Sequence, residues 1–135
     1  MNEEIKNKKR VTPEYLEVGK YIKSIRKHHG ETLIRLGCDF DLSANYISEI
    51  ERGVKPPSEQ FINKFCERFK IEPKEVYSRL KRAPEHAVEE LNTNIVAQEL
   101  LLEIGKNKKL KQQDKERIYN QLLQWYKEVI DTPKK

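Results

Sequence analysis

The chain has little of what catalytic, secreted or membrane proteins are usually built with. It holds only two cysteines, Cys38 and Cys66, and their separation matches no zinc-ligand spacing. Both fall beside apolar residues in helical patterns, so they are expected to be small core residues in a reducing compartment. Glycine is scarce, with five residues in the chain, and alternating apolar and polar runs are few, which argues against β-structure. No apolar run approaches a membrane span, because Leu100, Leu101 and Leu102 are closely flanked by Glu99 and Glu103. The opening residues Met1 to Lys6 lack the apolar stretch of a signal peptide, so a cytoplasmic location is expected. The sequence offers no paired carboxylates for acid–base work, no glycine-rich phosphate loop, no nucleophile–base set and no metal spacing. An enzyme is therefore not expected, nor a cofactor or metal.

Charge is what the chain has in quantity. Charged residues make up 36% of it, as many as hydrophobic ones, and the net charge is +5. Apolar residues still recur at helical spacing, so the chain is expected to fold rather than stay disordered. A basic balance suits an anionic partner such as nucleic acid, although a charge this small also fits a merely soluble protein. Residues 1–12 carry Lys6, Lys8, Lys9 and Arg10 and read as a basic arm. A solvated tail is the plainer expectation, and an arm that touches phosphate or enters a minor groove is the sharper one.

Helix signals then follow one another. Thr12, Pro13 and Glu14 open a first helix as cap, first helical residue and dipole partner, with Val18, Ile22 and Ile25 facing inward and an end near His28, His29 and Gly30. Thr32 caps a short second helix with Leu33, Leu36 and Phe40 inward. The glycine at 37 inside it suggests that another helix passes very close. Ser43 caps a third, which Gly53 ends by taking the left-handed conformation. In this third helix Ile47 and Ile50 share a face that anchors it, while Ala44, Asn45, Ser48 and Glu49 lie on the other side. That outer surface is small and polar, which suits close approach to a partner. Ser58 caps a fourth helix with Phe61, Ile62, Phe65, Cys66 and Phe69 inward, and Pro73 starts a fifth carrying Val76, Tyr77 and Leu80. Pro84 discourages helix at Ala83 and marks a boundary there.

The order of these helices resembles the Xre/lambda-repressor-like helix-turn-helix transcriptional regulators. The resemblance covers about residues 17–78. Its strongest local match is Tyr46-Ile47-Ser48-Glu49-Ile50-Glu51-Arg52-Gly53 followed by Lys55, Pro57 and Ser58. Val18 to Arg26 resembles the family's first helix. The resemblance implies a five-helix DNA-binding domain over residues 13–82 whose third helix enters a major groove, about 12 Å wide. It implies base-facing roles for Ala44, Asn45 and Glu49, with Ser48 near the backbone or an adjacent base. Ser43 would hold a phosphate at the helix N-terminus. Asn45 would pair with adenine, Ala44 would touch a thymine methyl and Glu49 would accept from cytosine. Tyr46 would contact backbone or pack under the following loop, and Lys55 would meet phosphate. Thr32 and Leu33 fall at the start of the second helix, where the family usually places a phosphate-bonding glutamine. Asp41 stands where its turn usually has glycine. The resemblance further implies a structural salt bridge between Arg26 and Glu51.

Residues 83–135 are expected to form a helical hairpin. Val88, Leu91, Ile95 and Leu102 mark its first helix, which is expected to end at Gly105. The basic turn Lys106 to Lys111 leads into a second helix, from about Gln112 to Ile130. Its apolar residues Ile118, Tyr119, Leu122, Leu123, Trp125, Tyr126, Val129 and Ile130 span an arc of roughly 160° at about 100° per residue. One neighbouring helix leaves part of that arc wet. Ile118, Leu122, Trp125, Tyr126 and Val129 are thus candidates for a dimer interface, the alternative being packing back onto residues 13–80. The hairpin resembles, more loosely, the interaction modules carried by some such regulators in Gram-positive bacteria. The expectation is an all-α, cytoplasmic, dimeric repressor of the phage or mobile-element kind that binds double-stranded DNA at a palindromic operator. The alternative is an antitoxin or other regulator whose hairpin binds a partner protein.

Overall fold

The computed structural model describes residues 11–133, and the basic cluster Lys6 to Arg10 lies outside them. Among the described residues the chain is all-α. Five helices come first: α1 (Pro13–His28), α2 (Leu33–Phe40), α3 (Ala44–Glu51), α4 (Glu59–Phe69) and α5 (Pro73–Leu80). Three more follow: α6 (Glu85–Thr93), α7 (Ile95–Lys106) and α8 (Gln112–Asp131). The chain divides into two compact units, with the break between Glu85 and His86.

The first unit has a true core. Val18 and Ile22 of α1, Leu36 and Phe40 of α2, Ile47 and Ile50 of α3, Phe61 and Phe65 of α4, and Val76 of α5 are all essentially buried. Helix α1 packs on both α3 and α5, α2 packs on α3, and α4 packs on α5. Phe40, Phe61, Phe65 and Phe69 run through this core with successive ring centroids 4.8 to 5.7 Å apart, a spacing that favours offset and edge contacts.

Three N-terminal hydroxyls cap their helices. Thr32 accepts from Arg35 N–H at 3.1 Å, Ser43 from Tyr46 N–H at 3.0 Å and Ser58 from Phe61 N–H at 3.1 Å. Thr12 departs from the pattern. It occupies the cap position of α1, but its side chain makes no capping bond. Its backbone N–H instead donates to Gly53 O at 3.3 Å, which ties the start of α1 to the end of α3.

Two glycines explain how closely the helices approach. At Gly19 an added Cβ would collide with the carbonyl oxygens of Ile50 and Glu51, so α1 crosses the end of α3 with backbone against backbone. At Gly37 the close neighbour is not a passing helix but the chain's own turn. A Cβ there would lie 2.5 Å from Leu42 O, while Leu42 N–H donates to Gly37 O at 2.8 Å. Asp41 makes that turn in the left-handed region, at φ 57°. Asp visits this region more readily than most residues because its short side chain can bond locally.

Cys66 is buried, but Cys38 is exposed. The inward stripe of α2 is Leu36, Gly37 and Phe40, which turns Cys38 outward.

The second unit is three helices rather than a two-helix hairpin. The break comes at Asn94, in the extended region at φ −116°, and its side chain accepts from Ala97 N–H at 3.1 Å to cap α7. Asn92, Thr93 and Asn94 form a run of side chains that compete for backbone hydrogen bonds, and Thr93 already bonds Glu89 O. Helix α7 then continues through Gly105 to Lys106. Within this unit Ile104 is the buried apolar residue, while Trp125, Tyr126, Val129 and Ile130 are each more than half exposed.

Candidate nucleic-acid interface

Helix α3 has a fixed inner face and an open outer one. Ile47 and Ile50 are fully buried and hold it to the core. Glu51, at its last turn, is held by Arg26 of α1. Arg26 Nε donates to Glu51 Oε2 at 2.7 Å, and Arg26 Nη2 to Oε1 at 2.8 Å. The remaining Nη1 donates to Glu31 O at 2.7 Å. The bond to Glu51 is the main cause that holds the Arg26 guanidinium above its ordinary pKa. A forked, buried pair of this kind sets an angle as well as a distance, so α1 dictates how α3 projects.

On the outer side Ser43 and Asn45 are exposed, and Ala44, Tyr46 and Ser48 are half-buried. Ser43 spends its hydroxyl as an acceptor on the Tyr46 N–H. Tyr46 packs against the core, and Lys55 Nζ stands 5.9 Å from its ring centroid. The tyrosine therefore lies under the loop that follows α3. At the start of α2, Thr32 is exposed and Leu33 is half-buried against the core, so an apolar chain fills the place beside the cap.

Glu49 is placed differently from its neighbours on α3. It is only 5% exposed, so its carboxylate is not on the outer face with Asn45. Its Oε1 accepts from Asn45 Nδ2 at 2.9 Å, and its Oε2 lies 3.2 Å from Lys55 Nζ. A partner one helical turn back and a cation from the next loop draw the carboxylate inward. Burial of a charge is tolerable when such partners meet it. Lys55 is correspondingly part of this cluster, with its side chain still half exposed.

Arg52 was not among the residues singled out from the sequence. It is exposed at the C-terminal cap of α3, and its Nε donates to Ser48 Oγ at 3.2 Å. Its spacing of four residues from Ser48 is the signal that points to it.

A second ionic cluster supports α2 from behind. Arg68 of α4 meets Glu31 at 2.6 Å and Asp39 at 2.8 Å. It links Glu31, two residues before α2, to Asp39 near the helix end.

In the second unit Ile118 is half-buried, while Leu122, Trp125, Tyr126 and Val129 are exposed by 40%, 64%, 56% and 52%. Among the described residues no group of three or more His, Cys, Asp or Glu side chains is placed to hold a metal ion. No helix among them is long and apolar enough to cross a membrane.

The architecture is that of an α-helical chain with one short, rigidly aimed, outward-facing helix. No protein-family profile matches this chain, and no curated protein matches it. Two solved structures of the clp gene regulator ClgR from Corynebacterium glutamicum are similar to it. One is 26% identical with a TM-score of 0.44, and covers 50% of this chain and 88% of its own. The other is 24% identical with a TM-score of 0.46, and covers 70% of this chain and 93% of its own. At this level of likeness the functional reading rests on the chain's own geometry.

Proposed function

We propose that this chain is a DNA-binding transcriptional regulator of the lambda-repressor-like kind, acting as a homodimeric repressor on a palindromic operator. The observation that supports it most is the mounting of α3. One face is sunk in the core, its end is clamped by Arg26, and Ser43, Ala44, Asn45 and Ser48 remain on the accessible side. A single helix of this size is what a major groove admits. In this reading Ser43 and Thr32 sit against phosphate at helix N-termini, Asn45 reads adenine and Ala44 meets a thymine methyl. Arg52 and Lys55 contribute backbone attraction beyond the C-terminal end of α3. Glu49 takes no base-reading role.

The second unit supports the homodimer. Three helices that expose Leu122, Trp125, Tyr126 and Val129 leave more apolar surface wet than isolated side chains explain. Its charge is also polarised. Residues 85–105 include Glu89, Glu90, Glu99 and Glu103 and no Lys or Arg, whereas Lys106, Lys108, Lys109 and Lys111 follow at once. A second copy offers both a matching apolar face and the opposite charge. Dimerisation would present two α3 helices to successive grooves about 34 Å apart.

Selection of bound duplexes from random DNA, combined with sedimentation equilibrium of the full chain, tests this reading. It expects a recovered site with two-fold symmetry, a dimeric mass and affinity that falls steeply with salt as phosphate contacts release counterions. Salt-independent affinity contradicts it. The same exposed face also fits a regulator that binds a different protein, and a monomer in solution with a stable non-identical partner on purification favours that alternative.

A further inference from the structure

Asn45, Glu49 and Lys55 form one connected cluster, and its chemistry is directional. A carboxylate accepts hydrogen bonds, and an asparagine amide has two N–H donors on one side and a carbonyl oxygen on the other. An ionised Glu49 therefore tolerates the Asn45 Nδ2 at 2.9 Å and would repel Oδ1 in the same place. That contact decides which way round the amide sits. Lys55 Nζ, 3.2 Å from the other carboxylate oxygen, offsets the glutamate's repulsion of phosphate. Glu49 itself is too buried to meet a base edge.

We propose that Glu49 is a positioning residue for base recognition, orienting the Asn45 amide so that Asn45 discriminates adenine. The inference rests on the reading of α3 as the DNA-facing helix. Glu49 accepts one of the two Asn45 N–H groups at 2.9 Å; in the proposed arrangement it is the one that points back along the asparagine side chain. The second N–H and Oδ1 then remain side by side on the exposed edge. That donor–acceptor pair matches the N7 acceptor and N6 amino group that adenine presents in the major groove. A free asparagine samples both orientations of its amide and loses part of this advantage on binding. Selectivity is thus set by a residue that does not touch DNA.

The test uses the full chain and a duplex recovered by selection from random DNA. Fluorescence anisotropy gives affinity for that duplex, for the same duplex with the Asn45-dependent A·T pair replaced, and for an unrelated duplex. The wild type should discriminate at that pair by about 5- to 150-fold, the range of one bidentate contact. Asn45→Ala should abolish the discrimination. Glu49→Ala should cut it several-fold and at the same time raise affinity for the unrelated duplex, because a negative charge is gone and Lys55 is released. A residue needed merely for folding would lower both. Glu49→Gln keeps the size but offers a donor as well as an acceptor, so it bonds either orientation of the Asn45 amide and should lose discrimination as Glu49→Ala does, and adding Glu49→Ala to Asn45→Ala should change nothing further at that pair. Discrimination equal to wild type in Glu49→Ala or in Glu49→Gln overturns the inference. A wild type that selects no site fails the reading of α3 itself, whereas a selected site at which Asn45→Ala keeps every base preference fails only this inference.

Discussion

Arg26 and Glu51 join two helices through a forked ion pair in which neither side chain is more than 9% exposed. They are 25 residues apart in sequence, yet the pair fixes the last turn of α3 against α1. Removing one partner leaves a buried charge without its complement. Arg26→Ala is expected to lose about 3–5 kcal/mol of unfolding free energy, read from urea denaturation. Arg26→Met combined with Glu51→Leu should lose less than either single change, because both buried charges are gone. A small loss in Arg26→Ala would mean that the pair does not organise the unit.

Gly19 and Gly105 give opposite expectations for the same substitution. Alanine is ordinarily favoured over glycine inside a helix by about 1 kcal/mol. At Gly105 an added Cβ meets nothing within 4 Å, so Gly105→Ala should stabilise the chain. At Gly19 it meets the carbonyl oxygens of Ile50 and Glu51, and backbone cannot step aside cheaply. Gly19→Ala should destabilise by about 1–3 kcal/mol, as overpacking does. Thermal unfolding of both variants checks the sign of each.

The two cysteines should behave differently towards a thiol reagent. Cys38 is exposed and should react in the native protein, while Cys66 should react only on unfolding. Burial also raises the Cys66 thiol above its ordinary pKa of about 9.0. The folded chain thus holds a proton that the unfolded chain releases. The associated stability is complete below about pH 9 and is lost as pH rises further. Tyr77, likewise raised by burial first, adds a second loss above about pH 10. Denaturation measured from pH 8 to 11 should show the earlier component vanish in Cys66→Ala and the later one remain.

Much of this was legible in the chain itself. Hydroxyl caps at Thr32, Ser43 and Ser58, prolines at 13 and 73, and apolar spacing mark helices that the structure places within a residue or two. Those signals are local, and they act through the nearest backbone. The break at Asn94 was less legible because the apolar period runs across it, and only the cluster of Asn92, Thr93 and Asn94 betrays it. The burial of Glu49 was not legible from helical position. Its carboxylate meets Lys55, which returns from a loop, a contact that no periodicity encodes. Cys38 shows the same limit in reverse, since an apolar neighbourhood in sequence did not make it face inward.

Leu122→Glu and Trp125→Glu place charge on the exposed apolar face of α8. In a dimer through that face both should shift sedimentation equilibrium towards the monomer, while circular dichroism of the first unit's helices persists. A monomeric wild type, or variants that remain dimeric, would move the interface elsewhere.

The most direct test of the account is a titration of one selected duplex with wild-type and Asn45→Ala protein at two salt concentrations. The account predicts that wild-type affinity falls steeply with salt and that Asn45→Ala loses preference at a single base pair. It also predicts that the salt dependence is the same in both, since Asn45 reads a base and carries no charge. Affinity that ignores salt, or a base preference that survives Asn45→Ala unchanged together with Ala44 and Ser48 substitutions, would contradict the placement of α3 in the groove.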